Sequence, residues 1–373
     1  MDERPNLVRA ALDGMLAGLP PPRRTITVAF TGDTLAHSPT WAAALTYGGG
    51  QRYDFAPIFA RVAPIISSVD LAVCHLESPV APAGEAYTTA PMYGVPAEIA
   101  AGLASAGYDR CSTASNHTLD RGGAGVDATV GALEAAGLGQ SGMARSAEEA
   151  ATPAIVDVDG IRVAHLSSTW SFNGLRLPAD EPWRSALIDP DRIVADAAAA
   201  RAAGAEYVIV SLHWGTEGSQ AISSFQRDVA ERITASGQVD LVVGHHAHVL
   251  QPIEQVNGRW VVFGLGNFLS SMTTASWPPQ VQDGAIVIFR VTERNAGLET
   301  SAPVVVPTFV DRRPYVIRPV LSDLDDPSVP AAIVPKLQDS LARTSAIMGE
   351  YLPPGGGARP DADAPSEGAV PAG

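Results

Sequence analysis

Residues Leu241 to Gln251 read Leu-Val-Val-Gly-His-His-Ala-His-Val-Leu-Gln, and no other stretch of the chain constrains it as strongly. Leu241 to Val243 has the look of a short buried strand that stops at Gly244, as apolar runs bounded by glycine commonly do. Three imidazoles follow within four positions and are expected on the loop at the strand's end. A bland alternative is a solvated His-rich turn. Imidazoles crowded against a buried strand are costly unless they bind something, and neutral imidazole is a frequent metal ligand. The segment therefore asks for a fold that buries a strand and opens a cation site at its carboxyl end.

Other strands end in the same way. Thr25 to Thr31 is a β-branched, apolar run ending at Gly32-Asp33, and Val69 to Leu76 ends at Glu77. Tyr108 to Thr113 leads to Ser115-Asn116-His117, and Tyr207 to Leu212 leads to His213-Trp214. Helical patterns are expected at Phe55–Ile66, Pro96–Ala106, Gly125–Ala136, Pro190–Ala203 and Phe225–Ala235. Asp159-Gly160 joins two short strand patterns and is a strong hairpin signal. Trp260–Gly264, Ala285–Val291 and Pro303–Val310 read as late antiparallel strands. Strands alternating with helices, followed by hairpins, favour a two-sheet α/β sandwich, and ligands of such sheets bind beyond the strand carboxyl ends.

Each polar cluster alone is a weak signal. Asp33 would also serve as a helix N-cap, Glu77 as a turn residue, and His213-Trp214 as a packed aromatic edge. Together they supply carboxylates, an amide and imidazoles, a mixed oxygen and nitrogen set that suits a divalent cation such as Ca, Mn or Zn. Asp120, three residues after His117, is placed to hold one nitrogen of that imidazole and raise its basicity, although the same pair would also form in an inert loop. His37, four residues past Asp33, is a weaker candidate for a similar pairing.

Composition narrows the partners. The 373 residues carry a net charge of −15, from 40 acidic and 25 basic side chains, which argues against nucleic acid because phosphate backbones need a basic footprint. No run of about 18 apolar residues and no signal-peptide pattern is present, so the expectation is a soluble, cytoplasmic protein without a membrane partner. The two cysteines, Cys74 and Cys111, sit in apolar runs and are expected as buried free thiols. Residues 1–24 read as an N-terminal extension, 25–320 as the main domain, 321–350 as a helical segment, and 351–373, rich in Pro, Gly, Ala and Asp, as a disordered tail.

Gly32-Asp33, Leu76-Glu77, Ser115-Asn116-His117-x-x-Asp120-x-Gly122, Leu212-His213-Trp214-Gly215-x-Glu217, Gly244-x-His246-x-His248-Val249-x-Gln251 and Gly264-x-Gly266-Asn267-Phe268 follow one another in the order seen in the CapA family. The resemblance, to proteins similar to the poly-γ-glutamate capsule synthesis protein, spans roughly residues 25 to 309. It implies a four-layer αββα sandwich of the calcineurin-like metallophosphoesterase type. It also implies Asp33, Glu77, Asn116, His213, His246 and His248 as metal ligands. His117, Asp120, His248 and Asp33 are then the acid/base groups, and Trp214, Glu217 and Asn267 border the substrate. The sequence departs from dinuclear phosphoesterases where Asp-x-His is expected, because position 35 is Leu35, and Glu77-Ser78-Pro79 replaces the second motif. One metal position therefore lacks ligands, and two-metal phosphoester hydrolysis is disfavoured. The family also includes a peptide epimerase of lasso-peptide biosynthesis. The resemblance thus implies one divalent metal ion and a precursor-peptide substrate. The alternatives are a capsule-synthesis accessory protein and a phosphoesterase.

Overall fold

The computed structural model describes residues 23–295 and 297–353. The first four strands, β1 (Thr25–Thr34), β2 (Leu71–Leu76), β3 (Arg110–Ser112) and β4 (Gly139–Ser141), run parallel. Then come β5 (Ile155–Val158), β6 (Ile161–Thr169), β7 (Tyr207–Trp214), β8 (Leu241–His246), β9 (Ile253–Val256) and β10 (Arg259–Val262). β11 (Asn267–Leu269), β12 (Asp283–Arg294), β13 (Gly297–Thr300), β14 (Val304–Arg312) and β15 (Tyr315–Pro319) complete the set. One sheet has the order β15-β14-β12-β1-β2-β3-β4, with β11 beside β1 and β13 beside β12. The other has the order β5-β6-β7-β8-β10-β9. β6, β7, β8 and β10 are mutually parallel, so β10 is antiparallel only to β9.

Period-two alternation of the strands builds the layers. Ile26, Val28 and Phe30 of β1 and Leu71 and Val73 of β2 meet Tyr207, Ile209, Leu241 and Val243 of the other sheet. The opposite faces of β1 and β2, with Ala29, Ala72, Cys74 and Leu76, pack on Phe55, Ile58, Phe59, Ile99 and Leu103. Val208, Val210, Leu212 and Val242 pack outward on the helices Pro190–Ala202 and Ser224–Ala235. Three apolar interfaces separate four layers, helix, sheet, sheet and helix, which is the αββα sandwich.

Several local expectations are corrected. The helix expected over Phe55–Ile66 is two short ones, Ala56–Phe59 and Ala63–Ile66, because Pro64 has no N–H to continue the first. β8 does not stop at Gly244. It continues through His245 and His246, so both imidazoles stand on a strand. Gly244 is required instead for close approach, since a Cβ there would lie 2.0 Å from the Phe263 carbonyl oxygen. Cys74 and Cys111 are not free thiols. They are register partners on adjacent strands with Cα atoms 4.4 Å apart, and they are joined as a disulfide. The Asp159-Gly160 turn has φ of 46° and 81°, the left-handed pair that closes a tight hairpin. Helices Val320–Asp325 and Val334–Met348 follow the last strand. No helix among the described residues is long and apolar enough to cross a membrane. Most of the N-terminal extension (1–22) and of the tail (354–373) lies outside the described residues.

Candidate metal and acid/base site

The parallel strands of both sheets deliver their carboxyl ends to one edge, and there the interior of the sandwich turns polar. Counting in twos along the inward face, Leu71 and Val73 are followed by His75, Ile161 and Val163 by His165, and Leu241 and Val243 by His245. His213 ends the same face of β7.

Glu77 lies at the centre, fully buried, with neither carboxylate oxygen hydrogen-bonded. His213 Nε2 and His248 Nε2 stand 3.8 and 3.7 Å from its Oε1. Glu77, His213 and His246 each bring a ligand atom within 4.8 Å of the others. Asn116 Oδ1 lies 2.8 Å from His213 Nε2. The amide of Asn116 is turned that way because its Nδ2 donates to Asn173 Oδ1 at 3.2 Å. His246 Nδ1 is also buried without a partner. Buried polar atoms normally find partners, so an orphaned carboxylate and imidazole facing each other fit a bound cation. Glu77, Asn116, His213 and His246 would hold it.

Asp33 offers a further ligand oxygen, since Asp33, Glu77 and His248 also bring ligand atoms within 4.8 Å of one another. The Asp33 carboxylate accepts from the backbone N–H of His246 at 3.2 Å and faces His248 Nδ1 at 3.0 Å and His245 Nδ1 at 3.4 Å. These contacts pin a strained segment, since His246 and His248 have φ of 87° and 57°. Left-handed backbone at non-glycine residues is rare and concentrates at functional sites. Here it breaks the strand alternation, so that the His246 ring reaches that of His213 with centroids 4.6 Å apart. The same His248 nitrogen, Nδ1, also lies 3.0 Å from Asn267 Oδ1. The acid/base pair expected at His117 is formed, with Nδ1 2.7 Å from Asp120 Oδ2, which also accepts from the Tyr93 N–H.

Burial and neighbours set the charges. Burial raises the Asp33 carboxyl, but hydrogen bonds from His245 and His248 outweigh it and hold the group well below the usual carboxylate range. Burial, opposed only in part by His248, pushes Glu77 well above its ordinary value. Burial lowers His248 too, yet Glu77 and Asp33 overcome this and push it up to about 10. Burial takes His246 down to about 3 and His75 and His213 well below 6.5. The site thus presents neutral imidazoles with lone pairs beside one proton-bearing imidazole held by an ionised Asp33.

Of the expected substrate residues, only Glu217 is exposed, and it offers an oxygen near His246 and His248. Trp214 is fully buried, donates from Nε1 to the Phe263 carbonyl at 3.0 Å and stacks on Phe263, so it is core. Asn267 is buried and committed to His248 and to the Val281 carbonyl. His37 does not pair with Asp33. It bonds the Leu35 carbonyl and the Tyr93 hydroxyl, at 2.9 Å each. Leu35 lies in an apolar cluster with Tyr93, Ala247 and Val249. His245 and Trp170 stand at the site, the Trp170 ring 5.5 Å from that of His246, and the residues there that the sequence did not single out are His75 and Asn173. Period-two counting along β2 would have found His75. Asn173 comes from a loop with no sequence signal.

Comparison with known proteins gives the site its context. The chain is 26% identical over 259 residues to the capsule biosynthesis protein CapA of Bacillus anthracis, covering 68% of this chain and 62% of that one. It is 30% identical over 217 residues to a probable polyglutamine synthesis accessory protein of Mycobacterium tuberculosis, covering 54% and 56%. The chain thus spans about half to three-fifths of the length of the curated relatives it matches. Its fold is similar to that of the NAD nucleotidase of Haemophilus influenzae, with a TM-score of 0.50 and 12% identity over 89% of this chain and 64% of that one, a likeness of fold alone. A calcineurin-like phosphoesterase of Bacillus subtilis also matches, with a TM-score of 0.46 and 13% identity over 86% and 99%. Residues 27–272 match the family model of the bacterial capsule synthesis protein PGA_cap, and the chain, an αββα sandwich, belongs to that family.

Proposed function

We propose that the protein is a metal-dependent acid/base enzyme that exchanges the proton on a peptide Cα and inverts that centre, an epimerase acting on a ribosomally made, lasso-type precursor peptide. The observation that carries this reading is a pair of imidazole–carboxylate couples, His248–Asp33, with His248 Nε2 3.7 Å from the buried Glu77, and His117–Asp120, which follows directly on Asn116 in the chain. Inversion needs a base on one face of the carbon and an acid on the other. In each couple the carboxylate engages Nδ1, fixing the ring and leaving Nε2 for the substrate. His248, which carries its proton to high pH, is the donor, and His117 is the acceptor. A divalent ion held by Glu77, Asn116, His213 and His246 would supply positive charge to the carbonyl oxygen as the Cα proton leaves. Two imidazoles among four donors favour Mn or Zn over Ca, which takes six to eight oxygens.

The names of the relatives support a second reading, an accessory role in making a poly-γ-glutamate capsule. One experiment separates the two. The protein is incubated with Mn(II) in D₂O with a synthetic lasso-type precursor peptide, with poly-γ-glutamate, or with a generic phosphodiester, and products are read by mass spectrometry and chiral amino-acid analysis. Deuterium at an inverted peptide carbon supports the epimerase. Efficient metal-dependent hydrolysis of a generic phosphodiester without Cα exchange, at about 1–10³ s⁻¹, would overturn it.

A further inference from the structure

His75 is buried within β2 and touches no surface, yet both of its ring nitrogens are engaged. Nε2 lies 2.9 Å from His213 Nδ1, and Nδ1 lies 2.8 Å from Ser112 Oγ, which reaches the Cys74 carbonyl at 3.3 Å. His213 Nε2 at the far end faces Asn116 Oδ1 and Glu77. Ser112, His75, His213 and Asn116 therefore form one hydrogen-bonded line from the sheet interior to the cation cluster. The flat face of His75 is stacked on His245, with centroids 4.0 Å apart and 14° between planes, so the ring has no freedom to turn away.

We infer that His75 is a positioning residue that sets the tautomer of His213 and so presents its Nε2 lone pair to the cation. The inference rests on the metal site proposed above. The line has two self-consistent arrangements with equal numbers of protons. With no cation, His213 Nε2–H donates to Asn116 Oδ1, its Nδ1 accepts from His75 Nε2–H, and His75 Nδ1 accepts from the Ser112 hydroxyl. With a cation, the proton on His213 sits on Nδ1 and is donated to His75 Nε2. His75 then carries its proton on Nδ1 and donates to Ser112 Oγ, whose hydroxyl turns to the Cys74 carbonyl. Every buried donor meets an acceptor in both arrangements, and each ring stays singly protonated. Metal-bound histidines usually have their second nitrogen fixed by a carboxylate or a carbonyl, which enforces one tautomer and costs 10–100-fold in affinity when removed. An imidazole in that position can both give and accept, so it serves the loaded and the empty site alike.

The test uses the full chain and Mn(II) or Zn(II) alone, with binding read by competition against a chromophoric chelator and His213 ring nitrogens read by ¹⁵N NMR. His75→Phe keeps the stacked ring and removes both nitrogens, and affinity should fall about 10–100-fold. His75→Gln, whose side-chain oxygen can accept from His213 Nδ1, should recover part of the loss. In the unmutated protein, adding metal should move the His213 proton from Nε2 to Nδ1, a signature that holds even where a variant folds poorly. Metal binding by His75→Phe equal to that of the unmutated protein, or an unchanged His213 tautomer on metal addition, overturns the role of His75 while leaving the metal site intact. A folded, unmutated chain that binds neither metal overturns both.

Discussion

Gly244→Ala tests whether this glycine ends a strand or lets two strands close up. An added Cβ would stand 2.0 Å from the Phe263 carbonyl oxygen and 2.4 Å from Trp214 Nε1. Overpacking of this kind costs about 1–3 kcal/mol. The methyl also wedges apart the Trp214–Phe263 hydrogen bond of 3.0 Å, which contributes about 0.5–1.5 kcal/mol. The expected loss is about 2–4 kcal/mol in urea unfolding of the chelated protein, with an unchanged denaturant slope. Gly131→Ala is the control, since Gly131 lies in the helix Gly122–Ala135 and its Cβ would meet nothing within 4 Å. It should stabilise the protein by about 0.5–1 kcal/mol through helix propensity. Because His246 stands two residues past Gly244, the Gly244→Ala variant should also bind Mn(II) more weakly. Stability within about 0.5 kcal/mol of the unmutated protein, together with unchanged Mn(II) affinity, would refute the close-approach argument.

Further outcomes are expected at the site itself. Glu77→Gln should abolish stoichiometric metal binding, read by elemental analysis after gel filtration, because it removes the one buried carboxylate among the described residues with two unpartnered oxygens. Asp120→Asn should slow Cα deuterium exchange about 10²–10⁴-fold with metal content unchanged. Metal loss in that variant would make Asp120 part of the ligand support instead. In the chelated protein His248 is raised from 6.5 to about 10. Its contribution to stability is therefore complete below about pH 6.5 and lost as pH rises through 10, and urea unfolding at pH 6.5 and pH 10 should show the fall. Asp33 is shifted the other way, so its contribution is present above the ordinary carboxylate range and lost in acid, which pH 3 unfolding reads.

Alternation and motif order along the chain already set the layers and the edge at which chemistry gathers. Period-two runs such as Ile26-x-Val28-x-Phe30 and helices between them allow few arrangements other than stacked sheets covered by helices. Polar residues closing β1, β2, β7 and β8 marked one end of those sheets, and the Asp120 spacing marked the partner of His117. What the sequence left open depended on neighbours distant in the chain. Gly244 and Gly32 looked like strand ends, whereas the Phe263 and Gly266 carbonyls pressed against them are what forbid a side chain. Trp214 looked like a substrate contact until Phe263 took its N–H and its face. His75, alone among apolar residues, acquired a role only when β7 brought His213 within 2.9 Å of it across the sandwich. Asp33 brings a ligand oxygen within 4.8 Å of ligand atoms of Glu77 and His248, and only the left-handed turn at His246 and His248 lets the same carboxylate hold those rings. Local pattern fixes which face of a strand is inward, because alternation is a property of the backbone. Which inward groups meet, and which are left without a partner for a cation to satisfy, is decided only when the two sheets close.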